Sequence, residues 1–173
     1  MRDLQVPLAD LSPDVAEALE RRGARQVHLY RALAHSPELA RAWFDFVWNL
    51  RDGASTPRSL REVAILRTAV RHGSDYEWVH HVRMAKEAGV PDETIDAVKR
   101  WPDGATGFRA DEDLTLRLTD GICDGAVPDE LVGACLAAFG PTGYVDMVLT
   151  ISAYVMVPRV LEALRVPLEA TLA

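Results

Sequence analysis

Apolar side chains recur at helical spacing along nearly the whole chain. Ser12-Pro13 reads as an N-cap followed by proline at the first helical position, and Gly23 as a stop, so the pattern predicts a helix over 13–22 with Val15, Ala16 and Leu19 on one stripe. A second helix is predicted over 25–34. Ser36-Pro37 opens a third that runs to Leu50, where Leu39, Trp43, Phe46, Val47 and Leu50 fall at the spacing of one buried face. Asp52-Gly53 ends it, and 54–58 is a loop.

Ser59 to Gly89 is the central stretch. Its first helix, 59–72, carries Leu60, Val63, Ala64, Ile65, Leu66, Ala69 and Val70 on almost every side, as a central helix does. Gly73 breaks it, Ser74 or Asp75 caps the next, and Gly89 with Pro91 terminates that one. A short helix over 92–99 stops at Trp101-Pro102, and 103–109 is an irregular connection. Helices follow over 111–122, 128–139 and 141–164, separated by Gly125 and by Gly140-Pro141. No run alternates with period two between turns. The fold class is therefore all-α: one multi-helix domain over 1–173, with an N-terminal helical extension (1–31), a core (32–98) and C-terminal helices (110–165).

Composition narrows the function classes. The 173 residues are 49% hydrophobic and 26% charged, which suits an ordinary globular core. The net charge of −7 comes with no block of Lys or Arg, so neither nucleic acid nor an anionic membrane is an expected partner. The apolar run 144–157 is too short to span a bilayer. Cys123 and Cys135 form no CxxC and no zinc pattern, and Met1 is followed by charge rather than an apolar leader, so a reducing cytoplasm is expected.

Most of the chain's acid–base groups lie in the central stretch: Glu62, Arg67, Arg71, His72, Asp75, Tyr76, Glu77, His80 and His81. Ser74, Glu77 and His81 share a helix face, and a carboxylate one turn from an imidazole can hold its tautomer or share its proton. Glu62 lies on an apolar stripe with Ile65, Leu66 and Ala69, where desolvation would raise its pKa. Simpler roles exist for each. Ser59 and Glu62 have capping-box spacing, and Glu77 with His81 could be a surface pair. Tyr76 and Trp78 suit packing, while Arg67 and Arg71 could hold a substrate carboxylate or simply be solvated. His80 points about 100° away from His81 around the helix, and two adjacent histidines are a weak metal signal.

The residues Leu60-Arg61-Glu62-Val63-Ala64-Ile65-Leu66-Arg67-Thr68-Ala69, then Tyr76-Glu77-Trp78-Val79-His80-His81, then Met84-Ala85-Lys86-Glu87-Ala88-Gly89-Val90 resemble the carboxymuconolactone decarboxylase and alkylhydroperoxidase D superfamily. The resemblance implies an all-α bundle of the alkylhydroperoxidase D-like type that assembles as a homo-oligomer, trimer or hexamer. It places His81 and Glu62 at the family histidine and glutamate. Ser74 and Glu77 fall where the peroxidase branch has its CxxC cysteines, so the dithiol nucleophile is absent. The remaining set resembles the decarboxylase branch, which uses no cofactor and no metal. The expectation is an acid/base enzyme for a small lactone, keto acid or related carbonyl compound, with His81, Glu77 and Glu62 catalytic. His81 is the principal acid/base, Glu77 orients it and Glu62 is a second carboxyl. Tyr76, Arg67, Trp78 and Ser74 are the expected substrate contacts. The alternative is a non-catalytic helical oligomer that binds a small ligand or partner. Peroxidase activity is disfavoured by the missing CxxC.

Overall fold

A computed structural model of the chain describes residues 5–22, 24–103 and 107–170. The expected stop at Gly23 and the middle of the 103–109 connection lie outside the described residues. Among these there are helices only: α1 (Pro13–Arg21), α2 (His28–Leu33), α3 (Pro37–Asp52), α4 (Arg58–His72), α5 (Asp75–Glu87), α6 (Asp92–Arg100), α7 (Ala110–Asp124) and α8 (Asp129–Leu164). The fold is all-α, as the periodicity requires. Helix α2 begins at His28, three residues later than expected, with Val27 as its cap residue and no side-chain capping bond. Helix α8 is two helices joined across Gly140, whose φ of 68° and ψ of 172° interrupt the helix where Gly140-Pro141 predicted a break.

The chain divides into two compact units, 1–49 with 159–173, and 50–158. In the first, Val15 and Leu19 of α1 pack with Ala40, Phe44 and Trp48 of α3. The expected face of α3 holds in part: Leu50 is buried and Trp43 and Val47 are half-buried, but Leu39 is 71% exposed and Phe46 40% exposed. Phe44 stacks on Trp48 at 5.6 Å and takes the Tyr30 ring edge-on at 4.7 Å. Burying this aromatic set removes more apolar area than burying Leu39 and Phe46 would, and it turns the helix accordingly.

In the second unit, α4 is central, and every residue from Leu60 to Ala69 is buried. One side supplies Val63 and Leu66 to a cluster with Ala85, Val90, Ile95, Val98 and Leu116. Another supplies Ala64 to a cluster with Leu114, Leu118, Leu131, Cys135, Met147 and Ile151. Helix α8 is long and apolar enough by length and composition to cross a membrane. Its Met147 and Ile151 are instead fully enclosed in this core, and its Asp146 accepts from Ser55 N and Oγ at 2.7 Å.

The turn between α4 and α5 sets up the site. Gly73 takes φ 60°, and Ser74 N donates to Ala69 O at 2.9 Å, a left-handed termination that reverses the chain. Ser74 then caps α5, its Oγ accepting from Glu77 N at 3.3 Å. At 1.5 Å per residue, Glu62 lies about 16 Å before this turn and His81 about 12 Å after it. The reversal therefore brings the two side chains close to level.

Candidate active site

Glu62 of α4 and Glu77 and His81 of α5 converge. His81 Nδ1 lies 2.8 Å from Glu62 Oε2, and His81 Nε2 lies 3.5 Å from Glu77 Oε2. All three are buried, at 0%, 4% and 5% exposure for Glu62, Glu77 and His81. The second oxygen of Glu62 accepts from Arg58 Nη2, one turn earlier on α4. The Tyr154 ring of α8 meets the His81 imidazole edge-on at 4.9 Å.

These contacts divide the labour differently from the sequence expectation. Glu62, not Glu77, makes the hydrogen bond that fixes the imidazole, because a carboxylate at Nδ1 holds the proton there and turns Nε2 toward Glu77. Nor does Glu62 follow the expected rise in pKa. Burial is the largest influence and pushes it up, but the charge and hydrogen bond of His81, together with Arg58, outweigh burial and hold it below the ordinary carboxylate value. Glu77 is the carboxyl that rises. Burial pushes it up, the charge of His81 offsets only part of this, and Glu62 adds repulsion. For His81, burial pulls downward, yet Glu62, through its charge and hydrogen bond, and then Glu77 raise the pKa, with Arg58 opposing. The site therefore contains one carboxyl held below its ordinary pKa, an imidazole held above its own and a second carboxyl held above its own. Glu77 Oε2 has no hydrogen-bond partner among the described residues.

The capping-box role of Glu62 is not realised. Helix α4 starts at Arg58 behind Pro57, with no side-chain cap, so Ser59 lies inside it. Among the other expected contacts, Ser74 is the α5 cap. Tyr76 packs its ring on His80 at 4.6 Å, and Trp78 packs on the α4–α7 cluster with Lys99 Nζ 4.3 Å from its ring. Arg67 belongs to a different network. Its Nε and Nη2 donate to Asp120 at 2.7 and 3.0 Å, and its Nη1 donates to Trp101 O at 2.9 Å. Trp101 Nε1 and Arg71 complete the ring around Asp120, at 3.0 and 3.3 Å. Two site residues escaped sequence reading. Arg58 could have been found from its i, i+4 spacing to Glu62, whereas nothing local marks Tyr154.

Among the described residues no three His, Cys, Asp or Glu side chains are grouped to hold a metal ion. Both cysteines are free, and burial raises the pKa of each. Neither is therefore a ready thiolate.

Several solved structures share this fold. A peroxidase-related protein from Silicibacter superposes with a TM-score of 0.81 at 15% identity, over 99% of this chain and 95% of its own. A peroxidase-related protein with an alkylhydroperoxidase D core, from Ralstonia eutropha, gives 0.82 at 16% identity, over 99% and 96%. A protein of unknown function from Agrobacterium tumefaciens, described as an antioxidant defence protein of the alkylhydroperoxidase D type, gives 0.70 at 18% identity, over 80% and 95%. These define the alkylhydroperoxidase D-like fold. Residues 37–117 match the carboxymuconolactone decarboxylase family. Over that stretch the chain is similar to this family and carries no CxxC motif. No curated protein matches the sequence significantly.

Proposed function

We propose that the protein is a cofactor-independent acid/base enzyme acting on a small keto acid, lactone or related carbonyl compound, by decarboxylation or isomerisation. The supporting observation is Glu77: a buried carboxyl whose Oε2 lacks a hydrogen-bond partner, 3.5 Å from an imidazole that another carboxylate orients. Leaving a buried acceptor unpaired costs about 1–3 kcal/mol, a cost that an oxygen meant for a reacting molecule explains. In decarboxylation the bond to the carboxylate carbon breaks, its electron pair passes to the conjugated carbonyl and carbon dioxide leaves. His81 with Glu77 then delivers a proton to carbon, and solvent restores it. In isomerisation the same pair removes a proton at one carbon and returns it at another. Glu62 keeps His81 in the required tautomer.

The peroxidase chemistry suggested by the names of the structural relatives would need a thiolate where this chain has Ser74 and Glu77. The exposed Val145, Leu149 and Met156 of α8, at i, i+4 and i+11, support a homo-oligomer. The near-complete burial of the trio favours the second reading, a non-catalytic oligomer in which the motif serves packing. His81→Ala and Glu77→Gln separate the two. With helical content retained, each is expected to reduce turnover of the substrate by about 10²–10⁴-fold, whereas undiminished turnover in both removes the catalytic assignment.

A further inference from the structure

Beside the trio lies an open cleft of about 270 Å³, lined by Arg51, Asp52, Arg58, Met84, Glu87 and Ala88. Ligand pockets for drug-sized molecules run to about 300–1,000 Å³, so this one suits something smaller. None of Glu62, Glu77 or His81 reaches its wall. Arg58 belongs to both places, because it lines the cleft and donates to the fully buried Glu62.

The cleft carries two arginines, two carboxylates and a small apolar surface, and the arginines are the groups with donors to spare. The main-chain oxygen of Arg51 accepts from Arg58 Nη1 at 3.4 Å and from Arg61 Nη2 at 2.9 Å, which ties the end of α3 to the start of α4 and fixes one wall. The two carboxylates on the rim already have cationic neighbours. Glu87 pairs with Arg83 at 2.6 Å, and Asp52 lies 3.8 Å from Arg51 Nε. The Arg51 side chain is 43% exposed and its nearest anion sits beyond hydrogen-bond distance. Arg58 is 25% exposed, has five N–H donors, and contacts Glu62, Met84 Sδ and Arg51 O through Nη1 and Nη2 only. Met84 and Ala88 supply the apolar surface.

Building on the acid/base reading above, we propose that this cleft is the substrate-recognition site, that its ligand is a small organic acid whose carboxylate is held by Arg51 and Arg58, and that Arg58 exchanges Glu62 for that carboxylate on binding. Arginine suits this task because its planar fork presents paired donors to a carboxylate. Arg58 lines the cleft and also bonds Glu62, so the exchange releases a Glu62 oxygen as the acid binds.

Binding can be measured without knowing the physiological substrate. The probe is 4-oxopentanoate, with 2-pentanone as its uncharged counterpart and inorganic phosphate as a competing anion, read through the methyl signal of ¹³C-labelled Met84. Saturable shifts with 4-oxopentanoate but not 2-pentanone are expected, with affinity reduced about tenfold in Arg51→Gln and at least as much in Arg58→Gln. Arg58→Lys, which keeps the cation over Glu62, is expected to fold normally and bind weakly. Glu77→Gln is expected to bind as the wild type does, so loss of turnover there leaves recognition intact and distinguishes failure of the chemistry from failure of the cleft. Equal shifts with 2-pentanone, no shift with 4-oxopentanoate, or unchanged affinity in Arg51→Gln and Arg58→Lys overturns the assignment. Phosphate competing at equal concentration overturns the organic-acid part of it.

Discussion

His81 Nδ1 and Glu62 Oε2 meet at 2.8 Å across two helices that a single left-handed glycine turns back on each other. This contact decides which nitrogen of His81 faces Glu77, and Glu77 is the only member of the trio with an unpartnered carboxyl oxygen.

Breaking that contact is costly. Glu62→Gln leaves Arg58 and His81 without their shared anion and is expected to destabilise the fold by about 3–5 kcal/mol, measured by urea unfolding. The pH dependence has two flanks. Glu62 is held below its ordinary pKa, so its contribution is present above that ordinary value and is lost as pH falls through the folded value. His81 is raised, so its contribution is full below the ordinary imidazole value and is lost as pH rises through the folded one. Glu62→Gln should flatten both flanks.

Glu77 has the opposite sign for a carboxyl. Its folded pKa is raised, so the stabilising contribution of the protonated form is full below the ordinary carboxylate value and disappears as pH rises through the folded value. Glu77→Gln keeps the shape without the charge. It is expected to unfold at higher urea than the wild type at pH 8, by about 1–3 kcal/mol, with the gain shrinking toward pH 4. A large loss of stability at pH 8 would show that the ionised carboxyl is needed for folding. Higher stability combined with lost turnover is the trade expected at a functional site.

Asp120 holds a separate, structural network. It accepts from Arg67 and Trp101 and forms an ion pair with Arg71, so Asp120→Ala strands a buried guanidinium and is expected to cost about 3 kcal/mol or more by thermal or urea unfolding. Turnover per folded molecule should be unchanged.

The apolar stripe on α8 makes a prediction about assembly. If Val145, Leu149 and Met156 meet another copy of the chain, Leu149→Glu should reduce the sedimenting mass to that of a monomer while leaving the far-UV circular dichroism intact. An unchanged mass excludes this face as the contact.

Much of this was legible in the sequence where local rules act. Caps and glycines placed the helix boundaries to within a few residues, and the all-round apolar pattern of 59–72 identified the central helix. Placing Glu62 and His81 in one site rested on the family resemblance, and the left-handed turn at Gly73 is the structural reason that they meet, with Glu77 beside them. Partner choice was not legible. Glu62 had two local partners in prospect, Ser59 for capping and the site for chemistry; in the structure His81 first, and then Arg58 one turn back, reverse the direction of its pKa. The buried face of α3 departs from the expected one at Leu39 and Phe46, because packing among Tyr30, Phe44 and Trp48 turns the helix toward a neighbouring stripe. Arg67 could not be assigned from spacing, since its partners Asp120 and Trp101 are more than thirty positions away.

The most direct measurement is deuterium incorporation at carbon, followed by NMR in D₂O, for a panel of small keto acids and lactones with wild-type protein, His81→Ala and Glu77→Gln. Wild-type protein is expected to label at least one compound, at the carbon that loses carbon dioxide or migrates a proton, about 10²–10⁴ times faster than either variant. Labelling no faster than in buffer across the panel, or at one rate in all three proteins, contradicts proton transfer by His81 and Glu77.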